Sequence, residues 1–116
     1  MSRIIVEAAS SDVAKSTVID LLEGGFEAKS ARIFYNLNKG LPLPEDTDNY
    51  PLILEGQIGF SSLSVHVYSV TAGYGGTGPH ATVAILRTAG FNFEESDILT
   101  NKQADFTGQI DLTYTR

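Results

Sequence analysis

Cysteine is absent from the 116-residue chain, which removes disulfides and thiolate metal sites as sources of stability. The fold must be held by burial, helped where needed by oligomerisation, and a chain without thiols suits a reducing cytoplasm. Basic residues are scarce. Eight Lys and Arg stand against 14 Asp and Glu, a formal net charge of −6. Sequence-independent attachment to DNA or RNA needs a basic surface, so the balance argues against a nucleic-acid polymer as partner. A small anion held by one or two arginines and backbone amides stays compatible with it. Long apolar runs are missing too: no segment approaches a membrane span, and Met1 to Ala9 is too short for a signal peptide. A cytoplasmic protein with no membrane partner is expected. The two histidines, His66 and His80, fall on different elements without a partner at metal-ligand spacing, so neither a metal nor another cofactor is implied.

What is present suffices for one domain. Hydrophobic residues make up 42% of the chain, and residues 1–116 are long enough for one core and too short for two ordinary ones. Arg3 to Ala8 is β-branched and reads as a strand. Ser10 or Ser11 then caps a helix in which Val13, Thr17, Val18, Leu21 and Leu22 recur at helical spacing, ended by Gly24-Gly25. Lys29 to Leu37 alternates, with Ala31, Ile33, Tyr35 and Leu37 on one face and Arg32, Phe34 and Asn36 on the other. Asn38 to Tyr50, with Pro42, Pro44 and the acidic Glu45, Asp46 and Asp48, reads as an exposed loop. Two strands follow, Leu52 to Gly59 and Leu63 to Thr71, joined near Phe60-Ser61-Ser62. A second helix runs from Pro79 to Ala89 and stops at Gly90. After a polar stretch with a helical turn near Glu94 to Leu99, Phe106 to Tyr114 alternates as a last strand. The order β-α-β-β-β-α-β predicts an α+β fold: a mixed or antiparallel sheet of about five strands with two helices, a ferredoxin-like variant with one extra strand.

The distinctive segment is Gly73-Tyr74-Gly75-Gly76-Thr77-Gly78-Pro79. A strand, several glycines and a helix start make a sensible anion site, because first-turn N–H groups lack intrahelical partners and carry partial positive charge. Thr77 adds a hydroxyl, His80 a ring nitrogen and Tyr74 a stacking face. The loop has neither the Lys-Ser/Thr pair of a P-loop nor the dinucleotide glycine spacing. The same glycines also serve a sharp turn and a close helix–sheet contact, so both readings stand at this point.

Together with Ala81, Ala84, Ile85 and Leu86, this loop resembles a motif in small uncharacterised bacterial and phage proteins. The resemblance implies a phage or mobile-element setting, in which blocking a host protein and sequestering a nucleotide signal are common tasks. It implies no chemistry.

From the residues, the favoured expectation is non-catalytic binding of a small phosphorylated or nucleotide-like ligand. Gly75, Gly76, Thr77, Gly78 and His80 would hold the anion, Tyr74 or Phe91 would stack, and Arg32, Arg87 or an arginine of a neighbouring subunit would neutralise charge. The alternative is a protein-binding inhibitor or immunity-type protein that presents Glu45 to Asp48, or a sheet edge, to a basic host partner. An enzyme is least expected, since no acid, base and nucleophile set assembles from sequence; Ser61, Ser62 and Ser64 lack an activated setting. Arg87 is the lone charge between Ala81 and Ala89, so that helix is apolar nearly all round. It predicts either a homo-oligomer contact or burial beneath the long loop or the 92–103 segment.

Overall fold

Short runs in which apolar residues alternate with polar ones place the two kinds on opposite faces, and five strands lie among the described residues. In a computed structural model, which describes residues 2–8, 10–37 and 50–116, they form β1 (Ser2–Val6), β2 (Phe26–Asn36), β3 (Leu52–Ile58), β4 (Ser61–Val67) and β5 (Gln109–Thr115). The helices are α1 (Ser11–Glu23), α2 (Thr77–Ala89) and the short α3 (Glu95–Leu99). The strands make one mixed sheet in the order β1-β4-β3-β2-β5. β1 pairs parallel with β4 and the other three pairings are antiparallel. β1 and β2 therefore run the same way, and α1 carries the chain from one to the other across β4 and β3. This is the expected α+β mixed sheet, with a third, short helix where the sequence allowed a helical turn.

Boundaries moved where local chemistry is ambiguous. β2 begins at Phe26, directly after Gly25 with φ 114°, and a register shift between Ala28 and Ser30 keeps both Ala28 and Ala31 inward. The β3–β4 turn is Gly59-Phe60, one step earlier than expected, and β4 stops at Val67. Ser10 caps α1 by accepting from the Val13 N–H at 3.2 Å. The inward stripe of α1 is Ala14 and Val18 with Leu21 and Leu22, whereas Val13 is 57% exposed. A stripe that begins at Ala14 continues to Val18, Leu21 and Leu22 at i+4, i+7 and i+8, which leaves Val13 off the face.

All three helices share a single core with one face of the sheet. Ala14 and Val18 of α1, Ile85 and Leu86 of α2 and Ile98 of α3 pack with Ile33, Leu52, Leu54, Val65 and Val67. α2 contacts α1, α3 and β2, so Ala81, Val83, Ile85 and Leu86 are buried within one chain. This corrects the argument for an oligomer contact at α2. The helix is apolar nearly all round because its neighbours on several sides belong to the same molecule, the 92–103 segment among them. Ile85→Ala is accordingly expected to lower unfolding free energy by about 2–5 kcal/mol, the range for a fully buried isoleucine, as measured by urea titration.

Candidate functional site

The glycine-rich loop leaves β4 through Val70 and Ala72, both fully buried. Gly73 has φ 100°, and its N–H donates to Ile98 O at 2.8 Å. The positive φ there favours glycine, and a Cβ would press on the side-chain ends Ile110 Cδ1 at 2.7 Å and Leu37 Cδ2 at 2.8 Å. A Cβ on Gly78 would overlap Thr71 Oγ1, whose own hydroxyl is hydrogen-bonded to Tyr74 Oη at 2.7 Å. The Thr71 carbonyl accepts from Thr82 Oγ1 at 2.8 Å, tying the loop to the first turns of α2. Gly76 is the N-cap of α2 and makes no side-chain cap bond. A Cβ on Gly75 meets nothing within 4 Å.

Around these glycines stand the expected ligand groups. The Tyr74 ring is 40% exposed and lies 5.6 Å from the Tyr35 ring. His80 Nδ1 donates to Gly76 O at 2.8 Å, which fixes the ring at the helix start. Thr77 is exposed. The remaining three expected site residues lie elsewhere. Arg87 is ten residues along α2 from Thr77, about 15 Å at 1.5 Å per residue, and pairs with Glu95 at 2.6 Å. Phe91 is a core residue, 6% exposed, held after Gly90 by an N–H bond to Leu86 O. Arg32 points away from the helices, its neighbour Ile33 being in the core. The nine residues do not form one pocket.

The face of the sheet that bears no helix among the described residues, the helix-free face, carries its own cluster, laid out by register. Arg32 stands opposite Ile53 on one side and Thr113 on the other. Ile53 stands opposite His66, and one row along, Ser30, Glu55 and Ser64 are consecutive partners. Together Ser30, Arg32, Ile53, Glu55, His66 and Thr113 line a recess of about 310 Å³. The Arg32 guanidinium is fixed by Asp111, with Nε and Nη2 each 3.4 Å from a carboxylate oxygen, and lies 4.0 Å from the centre of the Phe34 ring. His66 is 8% exposed. Its Nε2 is 2.7 Å from Ser64 Oγ, and the Tyr50 ring meets it edge-on at 5.6 Å. The fold thus buries one of the two histidines for which the sequence offered no metal-ligand partner. The available signal was the alternation that put Arg32 on the face opposite Ile33. What sequence lacked was the register that sets the residues of the cluster side by side.

A second concavity, about 500 Å³, lies between the α3 region and β5. Its polar groups pair among themselves: Asp97 accepts from Gln103 at 2.9 Å and Tyr114 at 3.3 Å, and Lys102 approaches it at 3.2 Å. Burial, and then the Asp97 charge, pushes the Tyr114 phenol up to about 12. Burial also acts to raise Asp97, but the bonds from Gln103, Lys102 and Tyr114 outweigh it and hold the carboxyl below its ordinary value. This arrangement fastens α3 to the sheet. The acidic residues Glu45, Asp46 and Asp48 lie outside the described residues. Among the described residues no group of three or more His, Cys, Asp or Glu side chains is placed to hold a metal, and no helix is long and apolar enough to cross a membrane.

No family model matches the chain, and no curated protein or solved structure matches it.

Two outcomes follow from these contacts. Gly78→Ala should cost about 1–3 kcal/mol, because the added methyl overpacks a filled site, while Gly75→Ala should leave stability within about 1 kcal/mol of the original or raise it. Paired thermal melts compare them. For Asp97, a folded pKa below the ordinary 3.8 contributes stability above that value, and the contribution is lost as pH falls through the folded pKa. Asp97→Asn should therefore destabilise at neutral pH by up to about 1 kcal/mol, with the difference vanishing in acid; a constant difference across a pH series of urea titrations would contradict this assignment.

Proposed function

We propose that the protein binds a small phosphorylated or nucleotide-like ligand without transforming it, and that the anionic group of the ligand sits in the recess at Arg32. One observation carries this reading. The recess is concave, of a size at the lower end for small-ligand sites, and holds a guanidinium fixed by Asp111 and Phe34 beside a nine-tenths buried histidine. Arginine's planar set of donors suits phosphate oxygens, and the Ser30 and Thr113 hydroxyls lie on the same wall. Glu55, an acceptor when ionised, suits ligand hydroxyl or amino donors. Ile53 supplies an apolar floor. The reading is non-catalytic: of the Ser64–His66 pair only His66 lines the recess, so the hydroxyl bonded to it is set back from the space a ligand would fill. Sequestration of a host nucleotide signal by a phage-type protein is the setting suggested by the loop's resemblance.

A second location has its own support. The first-turn amides of α2 have no side-chain cap from Gly76, and Tyr74, Thr77 and His80 stand exposed around them; such a helix start attracts anions. The inhibitor reading rests on the Glu45 to Asp48 run or a sheet edge, and the first of these lies outside the described residues.

Titration calorimetry against mono-, di- and cyclic nucleotides tests the proposal. Arg32→Met should weaken binding roughly tenfold or more, the loss of about 1.5–3 kcal/mol typical of a hydrogen bond to a charged group, while His80→Ala leaves affinity unchanged. The opposite pattern moves the ligand to the α2 start. If no nucleotide of the panel binds the original protein at millimolar concentration, the reading is wrong.

A further inference from the structure

β1 is the terminal strand of the sheet, and among the described residues no strand lies on its other side. An open edge invites pairing with another chain unless it is shortened, bulged, interrupted by proline or guarded by charged side chains, lysine above all. β1 carries neither proline nor lysine, and its register with β4 is unbroken from Ser2 to Val6. Ile5 is 42% exposed on it, and Ser2 and Arg3 are exposed.

The direction of its backbone follows from one bond. Tyr68 N–H donates to Val6 O at 3.0 Å, so Val6 turns its polar groups toward β4. In a parallel ladder alternate residues do so, which directs Ser2, Ile4 and Val6 toward β4 and the backbone groups of Arg3, Ile5 and Glu7 toward the open edge. The order of side chains then matters. Arg3, Ile5 and Glu7 share the helix-free face, a cation and an anion at equal distances either side of an isoleucine, with one Glu7 oxygen accepting from Tyr50 Oη at 3.0 Å and the other left to face a second cation, while Ile4 and Val6 share the core face.

We propose that β1 pairs antiparallel with β1 of a second copy about a two-fold axis at Ile5, joining two sheets into one of ten strands. This register sets Ile5 against Ile5, Ile4 against Val6, and Arg3 against Glu7 of the other copy in both directions. Ile5 and the two Arg3–Glu7 pairs are the hydrogen-bonded positions, the same residues whose backbone faces outward, giving about six new backbone bonds. Opposite charges directly across an antiparallel pair are favourable and like charges are not. The far edge offers no such match, since β5 carries Asp111 and no cation. Because only one edge is self-complementary, assembly closes at a dimer. Pairing along seven residues is small beside the roughly 800 Å² per partner of stable complexes, so the dimer forms at micromolar concentrations or above. The inference is independent of the ligand reading.

Sedimentation velocity on the whole chain from about 5 μM to about 1 mM, a span that brackets weak association, tests it. The original protein should shift from monomer to dimer. Ile5→Lys places like charges on the axis at an exposed site and should raise the dimer dissociation constant at least tenfold. Arg3→Glu and Glu7→Arg should each weaken the dimer severalfold by opposing like charges, and the double exchange should bring it back close to the original. Circular dichroism reports whether each variant keeps the fold, and the charge exchanges do not depend on Ile5→Lys folding. A protein that stays monomeric throughout overturns the proposal. So does a dimer that is indifferent to Ile5→Lys in a folded variant, or a double exchange no tighter than the single ones.

Discussion

A single layer of side chains between the sheet and its helices is the constraint on which the rest of the molecule depends. Leu52, Leu54, Val65 and Val67 from the sheet meet Ala14 and Val18 of α1 and Ile85 and Leu86 of α2, and all of them are fully buried. A chain of 116 residues without cysteine has no second source of comparable stability. Every helix must therefore dock on the same face. That requirement sends α1 across two strands between β1 and β2 and places α2 where it contacts α1 and α3. The apolar circumference of α2 is a consequence of this crowding and does not call for a second subunit.

The same constraint creates the opposite face. With the described helices on one side, the outward positions of β1 to β5 form a mixed grid in which Arg32, Glu55, Ser64 and His66 stand beside the buried Phe34 and Ile53. The grid is not loosely solvated. Ser64 and His66 are buried and bonded to each other, Tyr50 stands edge-on to both His66 and Tyr68, and Arg32 is held by Asp111 and the Phe34 ring. Neighbours of this kind narrow the rotamers open to a long cation before any ligand arrives. Rigidity of that kind suits recognition, and its cost is carried by the core on the other side.

Period and punctuation made much of this fold legible. Alternation marked β2 and β5, the Ser10 cap and the Gly24-Gly25 stop bounded α1, and Gly90 ended α2 in a left-handed conformation as expected. Pairing was not legible, because register is a long-range property: nothing local to Arg32 says that Thr113 will lie beside it, or that Ile53 alone will separate it from His66. For that reason the expected site drew together residues that the fold keeps apart. Phe91, expected to stack on a ligand, follows a glycine at a helix end. The same placement lets it fold back onto Leu86 and seal the core, and an aromatic ring so close to a helix terminus is usually spent on burial. Val13 misled for a subtler reason. A β-branched residue in a helix reads as apolar, yet the stripe set by Ala14 and Val18 leaves it outside.

The glycine-rich loop shows why glycine content is a weak guide to ligands. A glycine that lets a phosphate approach the backbone and one that lets a neighbouring side chain approach it are indistinguishable in sequence, since both require the same missing methyl. Here the neighbours of three positions are identified: Ile110 and Leu37 fill the space at Gly73, the Tyr74 ring that at Gly76, and the Thr71 hydroxyl that at Gly78. These contacts explain the motif without a ligand, and they have a mechanical result. Thr71 is bonded through its side chain to Tyr74 and through its carbonyl to Thr82, so the strand-to-helix turn is closed from both sides and α2 enters at a fixed angle over the sheet. Gly75 alone has open space above it. A loop packed this tightly is rigid, and only one of its glycines leaves an approach to the backbone from solvent; the recess across the sheet offers a concave surface with charge already in place. Shape thus favours the recess for the proposed ligand, while the contacts of the loop hold the start of the helix in position.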